Sequence, residues 1–160
     1  MLIKILEVKR ENCPAARLIG KRYTDSPNWS EWWENNWFAE LEKLPAMQFN
    51  TDAYIGGVHI VGCSPEYWIG MLFPSDTEAP VGFDHIDIEP LDYAVFYLYG
   101  DQQSGDFYTM DTHNKCLEKL REYGFMRKEN DWCFERYNCP RFTSPDADGN
   151  VILDYAISIE

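Results

Sequence analysis

A chain of 160 residues, 45% hydrophobic and 26% charged, has the size and composition of one globular domain with its own core. Its 14 Lys and Arg stand against 27 Asp and Glu, a net charge of −13, so it lacks the basic field that would meet nucleic-acid phosphates or anionic lipid headgroups. The same acidity concentrates organic cations around any cleft, and the 6 Trp, 10 Tyr and 9 Phe are far more aromatics than a core of average composition contains.

From Met1 to Glu7 the chain enters strand-like alternation with no leader, and no apolar stretch reaches the ~18 residues of a membrane span. A cytoplasmic protein without membrane or direct nucleic-acid contacts is expected. Residues 2–9 and 15–24 read as one extended strand interrupted at Cys13-Pro14. Ser26 and Pro27 then suit a helix cap and first turn, and the run from Asn28 to Leu44 is free of Gly and Pro until Pro45. At 100° per residue Trp29, Trp33, Trp37, Leu41 and Leu44 share one arc, with Phe38 at its far edge. Glu40 falls between Trp29 and Trp33 on that arc and Glu34 between Leu41 and Phe38, yet both are expected to reach out to solvent, since acids are rarely buried unpaired.

Ala53 to Cys63 and Glu66 to Phe73 read as a hairpin turning at Ser64-Pro65, with Gly56-Gly57 marking a bulge or a close backbone approach. A polar loop over 74–82 leads into a second extended run, Phe83 to Gly100, broken at Glu89-Pro90 as the first was at Cys13-Pro14. A helix over 109–123 presents Met110, Leu117 and Leu120 on one face and stops at Gly124. Strands 131–138 and 151–159, joined by a loop over 140–150, complete the chain.

Strand, helix and two strands thus occur twice, as pseudo-repeats of about 1–75 and 83–160 within a single domain. The expected fold class is α+β: duplicated β-α-β-β units forming a curved antiparallel sheet with two helices packed on one side. A cleft at the pseudo-twofold is the natural ligand site.

Within this order, Tyr67 to Met71, Ala79 to Phe83, Ile88 to Phe96 with Gly100, and Phe134-Glu135-Arg136-Tyr137 carry a Y-x-x-G strand, a P-x-G turn, a P-x-x-Y-A-V-F strand and an F-E-x-Y strand. In order and spacing these resemble the gyrase-inhibitor-like family and the effector-binding halves of multidrug-sensing transcription activators. The terminal strand, Ile152 to Ile159, also resembles the family's, although the usual proline near its end is missing. The resemblance implies a regulatory-factor effector-binding fold whose pocket holds lipophilic, often cationic molecules against aromatic rings and a buried glutamate, at the position of Glu135. No helix-turn-helix precedes Met1, so the chain is expected to be a stand-alone effector domain rather than a whole regulator. A branch of the same superfamily resembles hydrolases of reactive cyclopropane compounds.

Alternation puts Glu135 on one face with Cys133 and Tyr137, the phenol placed to orient it, and Phe134 and Arg136 on the other. The competing reading is an exposed acid paired with a base. Trp33 and Trp37, one helical turn apart, are candidate pocket walls or plain core, while Trp68, Met71 and Phe96 lie on central strands whose two faces are both apolar. No cofactor or metal is expected: the 5 cysteines form no C-x-x-C and His59, His85 and His113 have no ligand spacing.

The leading function is small-molecule binding through Glu135, Tyr137, Trp33, Trp37, Trp68, Met71 and Phe96. One alternative is hydrolysis, with Glu135 and Tyr137 as the catalytic pair. The other is an acidic interaction module whose protein partner is gyrase or a separately encoded regulator.

Overall fold

The computed structural model describes residues 3–45, 53–61, 63–128 and 131–160. Eight strands make one antiparallel sheet: β1 (Lys4–Cys13), β2 (Ala16–Tyr23), β3 (Ala53–Val61), β4 (Ser64–Pro74), β5 (Asp84–Ile88), β6 (Leu91–Asp101), β7 (Trp132–Asn138) and β8 (Asn150–Ile159). Their order across the sheet is β1-β6-β8-β7-β3-β4-β2-β5. Helices α1 (Trp29–Glu34), α2 (Trp37–Leu41) and α3 (Met110–Glu122), with a 3-10 turn at Asp106–Tyr108, complete the α+β fold.

The two proline breaks determine the shape. Cys13 and Ala16 can be at most about 11 Å apart along the chain, yet their strands stand six places apart in the sheet. A flat sheet would separate them by roughly 29 Å. Ile88 and Leu91 join β5 to β6 across the same six places, so the sheet must curl until its wings meet. The two segments read as one interrupted strand therefore part at the proline, the first crossing to the edge of the other repeat. Inside the curl one apolar cluster draws on every strand, including Leu18, Ile55, Trp68, Leu91, Val95 and Phe134.

Both helical units pack on the opposite face. Trp32, Phe38 and Leu41 cover Ile19, Ile69, Met71 and Phe73 of the first repeat, and Cys116 and Leu120 of α3 cover Ala94, Phe96, Leu98 and Leu153 of the second. Over the middle pair of strands, β3 and β7, the first helical unit reaches in with Phe38, which stacks on Tyr54, and Trp29, which meets Tyr137 edge-on.

The first helix departs from the continuous 28–44 expectation. It is capped by Asn28, whose Oδ1 accepts from the Glu31 N–H, rather than by Ser26. It breaks at Asn35-Asn36, where Asn36 takes the left-handed conformation with φ 54°, which asparagine tolerates better than most residues. The break re-phases the helix, so the core residues are Trp32, Phe38 and Leu41, and Trp33, expected on the buried arc, is 57% exposed. Tyr23 fixes Trp32, accepting from its Nε1 at 3.0 Å and donating to Glu31 at 2.6 Å. Glu34 and Glu40 are exposed, as expected, and Glu40 pairs with Lys43 at 3.0 Å.

Two smaller differences follow from packing. The β3–β4 hairpin closes on the Val61–Ser64 pair, which places Ser64 and Pro65 in β4; Pro65 lies beyond Tyr67, the last β4 residue paired with β2, so its missing N–H costs no bond on that side. On α3 the buried face is Thr112, Cys116 and Leu120, with Met110 exposed. Thr109 caps the helix and Gly124, at φ +74°, ends it.

Candidate functional site

Between α1 and α3, over the middle strands, lies a cavity of about 1410 Å³. Its floor follows from register. Gly56 of β3 is opposite Glu135 of β7, and Glu135 is opposite Tyr155 of β8. A Cβ on Gly56 would lie 3.0 Å from Glu135 Oε1 and 3.0 Å from a ring carbon of Trp29, so the glycine lets an indole and a carboxylate share the floor. This is the close approach that Gly56-Gly57 predicts.

Alternation along β7 is as expected, and it separates two neighbouring charges. Arg136 turns into the curl, where its guanidinium donates to Glu11 at 2.9 and 3.2 Å and lies 3.4 Å from Asp154. Glu135 turns the other way, into the cavity. Its one hydrogen bond among the described residues comes from the Tyr137 hydroxyl at 3.2 Å, and no basic side chain pairs with it there. Burial without a counter-charge pushes its carboxyl from the ordinary 4.5 up to about 7, against the downward pull of the Tyr137 bond. Tyr137 itself is held protonated by burial and by the neighbouring carboxylate.

Aromatic rings from both repeats form the walls. Trp29 meets Tyr137 edge-on at 5.3 Å, and Tyr54 stacks on Phe38 at 3.8 Å and donates to Glu42. From the second repeat Tyr108 stands beside Tyr137, and Phe142 meets it edge-on at 4.8 Å. His113 of α3 places Nδ1 2.7 Å from the Tyr155 hydroxyl. The site is therefore an aromatic bowl with one near-neutral acid at its base, and it can hold a flat or bulky apolar body and compensate a positive charge.

Of the residues singled out from the sequence, Glu135 and Tyr137 lie on the floor, Trp33 on the rim, and Met71 and Trp68 also line the cavity. The Trp68 side chain nevertheless packs into the cluster inside the curl, on the other face. Trp37 and Phe96 are outside the lining. Trp37 packs edge-on against Trp32 at 5.5 Å beneath the Lys21 ammonium, because the Asn36 break turns it away from Trp33. Phe96, fully buried, lies under α3. Reasoning from sequence missed Trp29, Tyr54, Tyr108, His113 and Tyr155 as lining residues. Tyr155 and Tyr54 could have been found by pairing β7 with β8 and with β3, where they lie opposite Glu135 and Tyr137; Trp29, Tyr108 and His113 depend on how the helical segments dock. No cluster of three or more His, Cys, Asp or Glu that could hold a metal occurs among the described residues, and no helix among them is long and apolar enough to cross a membrane.

Solved structures share this fold. SAV2435 bound to tetraphenylphosphonium aligns over 97% of this chain and 94% of its own, with 14% identity and a TM-score of 0.73. A bacterial transcription regulation protein from Staphylococcus aureus MU50 aligns over 96% and 98%, with 14% identity and a TM-score of 0.68. The C-terminal domain of EcmrR aligns over 96% and 97%, with 9% identity and a TM-score of 0.62. No protein-family model and no curated protein sequence matches the chain. The fold expected from the gyrase-inhibitor-like resemblance is the fold found, and at these identities the likeness is one of fold.

Proposed function

We propose that the protein binds lipophilic organic cations in this cavity, with Glu135 supplying the charge and Trp29, Tyr54, Tyr108 and Tyr137 the aromatic walls. One observation carries the reading: Glu135 sits at the base of an aromatic bowl with a single phenol for company, while Arg136 beside it is taken up by Glu11 and Asp154. A carboxylate left in this way is costly until a cation arrives. A delocalised cation is the better match, because it loses little hydration on entering and gains about 0.5 to 2 kcal/mol per ring face it meets. That SAV2435, of the same fold, was solved with tetraphenylphosphonium supports the choice of ligand class. The likeness to a transcription regulation protein and to the EcmrR C-terminal domain supports a sensing or sequestering module over a metabolic enzyme.

Titration with tetraphenylphosphonium, followed by tryptophan fluorescence and calorimetry, tests the reading. Wild type should bind, and Glu135→Gln should weaken binding on the order of 10- to 100-fold, the effect of removing a charge at the edge of a partly screened site. Equal affinities would remove Glu135 as the anchor. A hydrolytic reading draws on one observation of its own: a carboxyl at about 7, held by Tyr137, is matched to proton transfer near neutral pH. Turnover of a cyclopropane-bearing electrophile that is lost in Glu135→Gln would favour it; stoichiometric binding without product would sink it.

A further inference from the structure

On the α3 side the cavity holds a polar pair for which cation binding alone provides no task. His113 Nδ1 lies 2.7 Å from the Tyr155 hydroxyl. Tyr155 is the register partner of Glu135, and paired residues on one sheet face stand about 5 Å apart at Cβ, so the pair is immediately beside the carboxylate. Burial, and then the positive charge of Arg127, hold the imidazole neutral.

A neutral imidazole carries one proton. In the tautomer whose Nδ1 accepts from the phenol, that proton is on Nε2, which has no hydrogen-bond partner among the described residues and is not among their buried unpaired atoms. His113 also lines the cavity. The result is an uncharged donor next to an acid. A bare hydrocarbon cation makes no use of such a donor, whereas an oxygen acceptor on the ligand would.

We infer that His113, oriented by Tyr155, forms a second polar subsite that favours lipophilic cations bearing a hydrogen-bond acceptor, such as a ketone, ester or ether oxygen, over cations with hydrocarbon rings only. The inference rests on the cation-binding reading of Glu135 and adds the second pole of the ligand.

A matched pair of probes tests it: tetraphenylphosphonium and its analogue with an acetyl group at the para position of one ring. Wild type should bind the acetyl compound roughly fivefold more tightly, the effect of one net hydrogen bond. In His113→Phe the ratio of the two affinities should fall to near one, and in His113→Gln, which keeps a donor, it should partly return. A wild-type ratio of one, a ratio retained in His113→Phe, or failure of both phosphoniums to bind would overturn the subsite. Glu135→Gln separates the two readings: it should weaken both probes and keep the ratio. If it binds both as tightly as wild type while the ratio still depends on His113, the carboxylate anchor fails and the subsite stands. Imidazole nitrogen resonances of the unsubstituted protein give a readout free of folding effects. The His113 Nε2 signal should move with the acetyl compound and not with its parent, and equal shifts would refute the subsite.

Discussion

At the scale of single residues, Glu135 links binding, pH and stability. Its carboxyl is neutral below about pH 7, so cation affinity should fall about tenfold per pH unit well below that point and level off above it. Measuring tetraphenylphosphonium affinity from pH 5 to pH 9 checks this; a flat profile would mean that another group supplies the charge. The stability effect has the opposite sense. Because the fold raises this pKa from 4.5, the folded chain holds the proton more tightly than the unfolded one. The associated stability is fully present below pH 4.5 and is lost as pH rises through about 7. Glu135→Gln should therefore gain on wild type by up to about 3 kcal/mol between pH 5 and pH 8 in denaturant melts. Reading Phe134-Glu135-Arg136-Tyr137 as a strand was enough to put Glu135 beside Tyr137. It was not enough to establish that Arg136 would be engaged elsewhere, because Glu11 and Asp154 reach it from β1 and β8.

Among the elements, the break in the first helix illustrates how a local signal can mislead. A run from Asn28 to Leu44 without Gly or Pro satisfies every helix rule, and its Trp29, Trp33, Trp37 arc looks like a buried face. The left-handed turn at Asn36 wins because it lets Trp32 and Phe38, with ring centroids 4.5 Å apart, pack together on Ile19, Ile69 and Phe73. Burial of two large aromatics outweighs one strained residue. Asn36→Gly should melt within a degree or two of wild type, since glycine accepts φ 54° freely. Asn36→Ala should lose about 1 kcal/mol, or roughly 2 to 4 °C in Tm. An alanine variant as stable as wild type would show that the break costs nothing and that packing alone sets it. The ends of helix α3 followed their sequence signals closely because Thr109 and Gly124 act locally, although its buried face did not.

For the whole molecule, the curl of the sheet depends on pairs that close far along the chain. Inside it Asp154, fully buried, accepts from Asn138 at 2.8 Å and from Arg141 at 2.9 Å and lies 3.4 Å from Arg136, so β7, β8 and the loop after β7 meet on one carboxylate. Asp154→Ala would leave buried Arg136 with Glu11 alone and should destabilise the fold by about 3 to 5 kcal/mol. The phosphonium affinity of the folded fraction should stay within about twofold, because Asp154 lies on the sheet face away from the cavity. Chemical denaturation and calorimetry measure the two separately, and a large loss of affinity would mean that the interior network holds the site in shape.

By itself the sequence determined the duplicated strand and helix order, the two proline breaks, the α+β class and the acid at the centre of an F-E-x-Y strand, because all of these are recorded in spacing along the chain. The tertiary structure alone decided which strands pair across the proline breaks, which rings reach the cavity and which acid keeps no counter-charge. Those outcomes depend on contacts between residues as distant as Glu11 and Arg136, or His113 and Tyr155, and periodicity carries no information about a partner on another element.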